Sequence, residues 1–423
     1  MTMTLHCGMD FGTSNSTFAV AGGNAPPRLL PLEGQSVTLP SVIFFSFEDE
    51  SAHFGRAAVS EYVTGADGRL MRSLKSVLGT SLFSDTTRIK RRAVSFAEIL
   101  GTFIAEMRGR ANAQLGQEID TVVMGRPVRF VDDDDAADAE AQGQLEAAAR
   151  GQGFRHIEFQ FEPIAAALDY EQQVTREELG LVIDIGGGTS DFSVIRVSPE
   201  RARSTDRRAD ILSTAGVHVG GTDFDRLLSL RKVMPLLGYR TETADGKRPL
   251  PSAPYYDLAT WHRINRLYNN QKTLLELRST EREAAHPELV EKMISVVSDR
   301  AGHRLAGRVE EAKIALTDHA ETAFSFETHG AVIETTIART DLTAALEDCV
   351  DRIGGTIRAA LADAEVSADQ IDTLILTGGS TQVPAISARI RELLPAARAV
   401  ATDAFGSVGL GLALDAVRKF GPA

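Results

Sequence analysis

The stretch Leu181-Val182-Ile183-Asp184-Ile185-Gly186-Gly187-Gly188-Thr189-Ser190-Asp191-Phe192-Ser193-Val194-Ile195 decides how this chain is read. A β-branched run ends in an acid, a glycine turn follows, and an alternating segment resumes, the pattern of two strands joined by a tight turn. An earlier copy runs from Leu5 to Phe11, turns at Gly12-Thr13-Ser14-Asn15 and continues from Ser16 to Val20. Asp10 and Asp184 stand 174 positions apart in the two copies. A repeated strand, acid, glycine turn and strand implies an internally duplicated chain with one hairpin in each of two lobes.

The chemistry of such hairpins is that of a polyphosphate. Successive backbone N–H groups in a tight turn approach phosphate oxygens where side chains would collide, and glycine permits that turn. Two turns facing each other across a cleft, Gly12 to Asn15 and Gly186 to Thr189, would hold neighbouring phosphates from opposite sides. Asp10 and Asp184, each at a strand end, suit a Mg²⁺ ion held through its retained waters, and Asp191 is placed to join them. Taken singly, a glycine turn or a strand-terminal acid is usually a plain turn former; the repetition raises both above that. A third turn, Gly378-Gly379-Ser380-Thr381, leads from the strand Thr373 to Leu376 into a helix from about Val383 to Leu394, whose N-terminal dipole favours anionic or polar ligand atoms. Gly220-Gly221 in HVGGTDFD is a similar element; either alone reads more readily as a structural turn.

Between the hairpins, Ala97 to Leu115 reads as an amphipathic helix, Thr121 to Met124 as a buried strand, and Asp132 to Arg150 as an Ala-rich helix with acids in its first turn. A further helix opens at Glu162-Pro163, where the missing proline N–H costs nothing. Residues 226 to about 337 are charge-rich and read as mostly helical, with a Gly/Pro loop from Gly238 to Pro254. A final apolar helix spans Ser407 to Val417.

At 423 residues the chain exceeds one hydrophobic core, and its 43% apolar and 24% charged residues are those of a soluble globular protein. The net charge of −13 argues against general nucleic-acid or anionic-membrane surfaces, which require basic excess. Cys7 and Cys349, the only cysteines, give no disulfide framework and fit a reduced cytoplasmic compartment. No apolar run reaches the about 18 residues of a membrane span, and MTMTLHCGMDFG lacks a basic region followed by a long apolar run, so neither export nor a membrane span is expected. The nine histidines lack zinc spacing, so His156, His262 and His303 read as ordinary residues. The acids Asp132 to Asp135 read as a solvated helix start. Neither a Walker lysine nor a G-x-S-x-G elbow is present.

Taken together and in order, GMDFGTSNS, VVMGRPVRF, FEPIAAALDYE, VIDIGGGTSDFSV, GVHVGGTDFD, EEAKIAL and LILTGGSTQVP resemble the nucleotide-binding domain of the DnaK-type heat-shock 70 kDa chaperones over nearly the whole chain. Gly125-Arg126-Pro127-Val128, Lys75-Ser76-Val77-Leu78-Gly79 and Asp403 to Val408 are most similar to its YegD branch. The resemblance implies an α/β, actin-like ATPase fold (ribonuclease H-like), with duplicated mixed sheets flanked by helices around a central nucleotide cleft. The lobes would be residues 1–177, with 404–423 returning to them and 40–117 as an outer subdomain, and residues 178–403, with 227–337 as an outer, mainly helical subdomain.

By the same resemblance, the ligands are ATP or ADP and Mg²⁺. Asp10 and Asp184 would hold the metal through water, and Gly12, Thr13, Ser14, Asn15, Gly186, Gly187, Gly188 and Thr189 would cradle the phosphates. Lys75 would neutralise charge on the transferred phosphoryl group, and Glu162 and Asp191 would orient the attacking water or metal shell. Glu310 and Lys313, spaced i and i+3, would grip adenosine, with Gly220, Gly221, Gly378, Gly379 and Ser380 completing the pocket. On local pattern alone Lys75 is a surface cation and Glu310 with Lys313 a solvated pair.

Ile314 and Gln382 depart from the family by replacing arginines. The chain stops at Ala423, where chaperones continue into a peptide-binding domain, so client binding in the usual groove is not expected. The residues thus favour a slowly ATP-hydrolysing, chaperone-like switch that contacts a protein partner or client through another surface. A small-molecule kinase and a non-catalytic actin-like scaffold are the alternatives.

Overall fold

The structure, a computed structural model, describes residues 5–22, 25–131, 134–268, 271–400 and 406–421. Two five-membered strand paths dominate it. In the first, the antiparallel strands His6–Phe11, Asn15–Gly22 and Ala25–Leu29 are followed by Thr121–Arg126, parallel to His6–Phe11 on its other side, and then by His156–Phe161 at the edge. In the second, Glu178–Ile185, Ser190–Val197, Ile211–Val217, Thr373–Thr377 and Arg398–Val400 occupy the same places in the same order and directions. A helix crosses between the two parallel strands in each case, Asp135–Gly151 in the first and Pro384–Leu393 in the second.

The duplication holds residue by residue. Cys7, Met9 and Phe11 turn one face of their strand into a core shared with the helix Phe96–Leu115, where Phe11 and Phe103 stack with centroids 5.7 Å apart. Leu181, Ile183 and Ile185, each 174 positions later, face the second core. Period-two alternation sends Gly8, Asp10, Val182 and Asp184 to the opposite faces. There the lobes exchange helices. Glu162–Glu171 packs Ile164, Ala166 and Ala167 against Val182, Ile195 and Ile375 of the second sheet, whereas Ser407–Phe420 packs Leu412 and Ala413 against Val123, Ala19 and Ala21 of the first. The two helices cross so closely that a Cβ on Gly411 would lie 1.8 Å from the Ala165 carbonyl oxygen.

Local rules account for the element ends. Ser95 caps Phe96–Leu115 by accepting from Glu98 N at 3.1 Å, and Gly116 ends it with φ 66°. Asp134 caps Asp135–Gly151 by accepting from Ala136 and Ala137, while Asp132 and Asp133 of the acidic run, like residues 401–405 of the Asp403 to Val408 motif, lie outside the described residues. Cys7 and Cys349 are both buried free thiols.

Two expectations need refining. The segment from 226 to about 337, read as mostly helical, is so through Gly302–Asp318, but its end is not: Glu321–Glu327 and Val332–Ala338 form an antiparallel hairpin. Phe324 and Phe326 alternate with exposed Glu321, Ser325 and Glu327, a period of two that overrides the surrounding charge. The turn at Gly378 does not open a helix directly either. A 3-10 turn, Gly379–Gln382, intervenes before Pro384–Leu393, so the helix dipole is not centred on Gly378 to Ser380.

Candidate active site

The two glycine turns face each other where the sheets meet: a Cβ on Gly187 would lie 2.3 Å from Ser14 Oγ. Each is set by its hairpin register. Asp10 pairs with Thr17 in the first, and Asp184 with Asp191 at the corresponding place in the second. The first turn closes tightly enough that a Cβ on Gly12 would sit 2.2 Å from the Asn15 carbonyl oxygen, and Ser41 braces it, its N–H donating to Ser14 O at 2.9 Å and its hydroxyl to Gly12 O at 2.7 Å. In the second, Gly186 N donates to Thr189 O at 2.9 Å, a Cβ on Gly188 would meet nothing within 4 Å, and one on Gly220 would lie 2.5 Å from Gly188 N.

Lys75 stands on the strand-flanking turn Leu74–Val77, introduced by Ser73 in the left-handed region at φ 55°. Its ammonium donates to the Glu162 carboxylate at the start of Glu162–Glu171, and the two side chains are only 9% and 17% exposed. A Cβ on Gly125 would lie 3.3 Å from Glu162 Cγ, so glycine there makes room for the acid. Burial alone would lower the Lys75 pKa; Glu162, Asp10 and Asp184 outweigh it and raise it. Lys75 is therefore no surface cation.

Its charge does not balance the acids. Burial, then Glu162, push Asp10 up to about 7, with Asp184 adding to the rise. Burial and then Asp184 push Asp191 up to about 7, and burial and Glu162 raise Asp184. Asp184 and Asp191, directly opposite across an antiparallel pair, are a like-charge contact that opposes folding by itself. Four carboxylates around one ammonium leave a cleft short of positive charge, the electrostatic condition a divalent cation would relieve. Among the described residues no three His, Cys, Asp or Glu side chains converge as a metal cage. A hard cation that keeps most of its waters, as Mg²⁺ does, fits this donor set.

The remaining expected residues divide into those that meet and those that do not. Gly221 N donates to Gly186 O at 3.0 Å and Thr222 N to Gly187 O at 2.8 Å, which fastens the Gly220-Gly221 turn to the Gly186 to Thr189 turn. A Cβ on Gly221 would touch Ser380 Oγ at 2.7 Å, and one on Gly378, whose φ is +78°, would lie 2.9 Å from Asp184 Oδ1. Lys313 is buried and pairs with Asp225 at 2.8 Å, not with Glu310, which is exposed. Ile314 beside it is 59% exposed, a large apolar side chain open to solvent. Thr13 lies in the first turn, and Gly379 opens the 3-10 turn that follows Gly378.

Sequence reasoning missed Ser41, Asp225 and Arg72. Burial raises Asp225 to about 6 despite Lys313, and Arg72, still exposed to solvent, is a cation in the field of Glu310, Tyr62 and Asp225. Asp225 closes the quoted HVGGTDFD, so its place four residues beyond Gly221 was a usable signal; Ser41 and Arg72 carry none.

A cavity of about 660 Å³ lies elsewhere, between His156–Phe161, residues 205–208 and Arg418. Most of its cations are paired, Arg207 with Glu171 and Asp210, Arg126 with Asp138, and Arg418 and Lys419 with Asp415, while Arg208 lies over the Phe161 ring. Unbalanced charge, more than volume, singles out the cleft.

A family model described as Hsp70 protein matches residues 6–233 and 290–417, which include both hairpins, Lys75, Glu162 and the third turn. The chain belongs to the Hsp70 family. Its sheets are accordingly those of the actin-like ATPase fold. The "Chaperone protein DnaK" of Deinococcus deserti is 26% identical over 436 aligned positions, covering 97% of this chain and 59% of that protein. The protein of the same name from Mycoplasmopsis agalactiae is 26% identical over 418 positions, covering 96% and 57%. The chain thus spans less than three fifths of the length of these curated relatives. Among the described residues no helix is long and apolar enough to cross a membrane.

Proposed function

We propose that this Hsp70-family chain is an adenine-nucleotide switch of the cytoplasm that binds ATP with Mg²⁺, hydrolyses it slowly, and reports its nucleotide state through the angle between its lobes. One observation carries the reading: the Lys75–Glu162 pair is buried between two facing acid-and-glycine hairpins whose charge a lone lysine cannot balance. The turns at Gly12 to Asn15 and Gly186 to Thr189 would offer backbone N–H groups to the phosphates, and Lys313, Gly221, Ser380 and Glu310 would receive the nucleoside. Asp10 and Asp184 would hold Mg²⁺ through water, and the ion when bound would supply positive charge to the phosphate oxygens.

Lys75 would steady the charge that develops on the transferred phosphoryl group. Glu162 fixes the lysine, and Asp191, raised toward neutrality, is suited to accept a proton from the attacking water. The lobes in this account are residues 1–177 with 404–423, and 178–403. A place in the YegD-like branch and a protein partner or client read through an outer surface belong to the same proposal. The excess of acids makes nucleic acid an unsuitable partner.

Titration with ATP and Mg²⁺, followed by phosphate release from wild type and Lys75→Ala, tests it. A protein that takes up no adenine nucleotide at millimolar concentration ends the proposal.

A further inference from the structure

Residues 234–289 fall between the two stretches that the family model matches, and within them the chain walls off a cavity of about 480 Å³. One wall is the segment from Thr243 to Pro254. The other is the helix Gln271–Glu283, which lines the cavity with Thr273, Glu276, Leu277, Ser279, Thr280 and Glu283. Those positions recur at steps of three and four, one face of the helix.

Well-packed interiors leave few voids larger than a water molecule, and a space persists only where its walls cannot collapse onto it. Here they are fixed. Pro249, Pro251 and Pro254 lock the backbone φ of the first wall. Ala244 N donates to Glu283 O at 2.8 Å and Ala285 N to Glu242 O at 2.9 Å, which ties that wall to the end of the helix, while Leu250 N donates to Thr241 O at 2.9 Å and closes the loop on itself. The helix brings only small side chains, Thr273, Ser279 and Thr280, to places where a core-facing row would carry large apolar ones. A rigid cavity of this size, walled by proline and leucine with a few polar groups, is the kind that holds a small organic molecule.

The polar groups select the ligand. Thr243 and Thr280 spend their hydroxyls within the chain, Thr243 donating to Asp245 at 2.7 Å and Thr280 to the Glu276 carbonyl oxygen at 3.0 Å. Arg248 and Glu283 neutralise each other. That leaves Glu276 and, one helical turn to either side of it, the hydroxyls of Thr273 and Ser279, which make no hydrogen bond among the described residues. Glu276 meets Lys272 at 3.3 Å, but the two side chains are 62% and 74% exposed, a pair loose enough to exchange for a ligand. All three groups accept hydrogen bonds and one is an anion. The matching group is an ammonium, which donates three.

We propose that the cavity between residues 243–254 and the helix Gln271–Glu283 is a second ligand site, taking a small organic amine whose apolar body lies among the prolines, Leu250 and Leu277 and whose ammonium meets Glu276. The site shares no residue with the nucleotide cleft and stands or falls independently of the nucleotide reading.

The experiment titrates the full chain with dansylcadaverine, an apolar ring system on an alkylamine, and with its N-acetylated form, which keeps the body and loses the charge, both followed by dansyl fluorescence. Wild type should bind the amine saturably and about tenfold more tightly than the acetylated form, the effect of one charge-assisted hydrogen bond. Glu276→Gln, at an exposed position, should remove that preference and leave binding of the acetylated form unchanged. Thr280→Phe, which fills the cavity, should abolish binding of both. Because the nucleotide cleft is also acidic, the titration is repeated with excess Mg²⁺-ATP, and an unchanged affinity for the amine supports the separate site. No saturation of wild type by about 1 mM amine, equal affinity for the two forms, equal affinity of wild type and Glu276→Gln for the amine, or displacement by Mg²⁺-ATP would each overturn the proposal. Should Thr280→Phe fold poorly, Glu276→Gln decides the matter.

Discussion

Replacing Asp10 by Asn removes one ionisable group from the cleft and leaves its shape almost unchanged. Asp10 is raised to about 7 in the folded protein from an ordinary 3.8. A raised acid contributes stability fully below its unfolded pKa, near pH 4, and that contribution is lost as pH climbs through the folded value near 7. The gap of about three units corresponds to roughly 4 kcal/mol at most. Asp10 is only half-buried, and its ionisation is shared with Glu162 and Asp184, so solvent screening reduces this to about 1–2 kcal/mol. Asn cannot ionise. Without Mg²⁺ and nucleotide, Asp10→Asn should therefore match wild type near pH 4 and exceed it by that amount at pH 8, read as a rise in denaturation midpoint. With Mg²⁺ and ATP the advantage should shrink or reverse, because only the carboxylate can serve the metal. A difference independent of pH, or a variant less stable than wild type at pH 8 without ligand, would refute the charge-imbalance argument.

Gly378→Ala should cost at least about 2 kcal/mol of stability, because φ is +78° and the new Cβ would lie 2.3 Å from the Ile185 carbonyl oxygen; a midpoint equal to wild type would show that the third turn is loose. Lys313→Ala should weaken nucleotide affinity about tenfold without changing turnover at saturation, while unaltered affinity would reduce Lys313 to a structural partner of Asp225.

The duplication was legible because it is written locally. Strand, acid and glycine turn recur with one spacing, and alternation places Asp10 and Asp184 on equivalent faces. Glu162 was legible as a helix start, yet its contact with Lys75 spans 87 positions and no periodicity encodes it; only the family resemblance pointed there. Lys313 went the other way. Helical spacing offered Glu310 as its partner, and tertiary burial gave it Asp225 instead. His303, read as an ordinary surface or core residue, is buried, and it stands 3.3 Å from the hydroxyl of Tyr62, 241 positions away. The hairpin at 321–338 was readable in the Phe324 and Phe326 alternation and was masked by the charged residues around it. Sequence carried what lies within one element, and the residues it missed are those whose meaning comes from a second element.

The most direct test of the central claim is single-turnover phosphate release from Mg²⁺-ATP by wild type and Lys75→Ala, with binding of ATP measured on both. The account predicts that both proteins bind ATP and that release is lost in the variant, since Lys75 is the cation facing Asp10, Glu162 and Asp184. Equal release from the two proteins would contradict it, as would ATP binding without release from either.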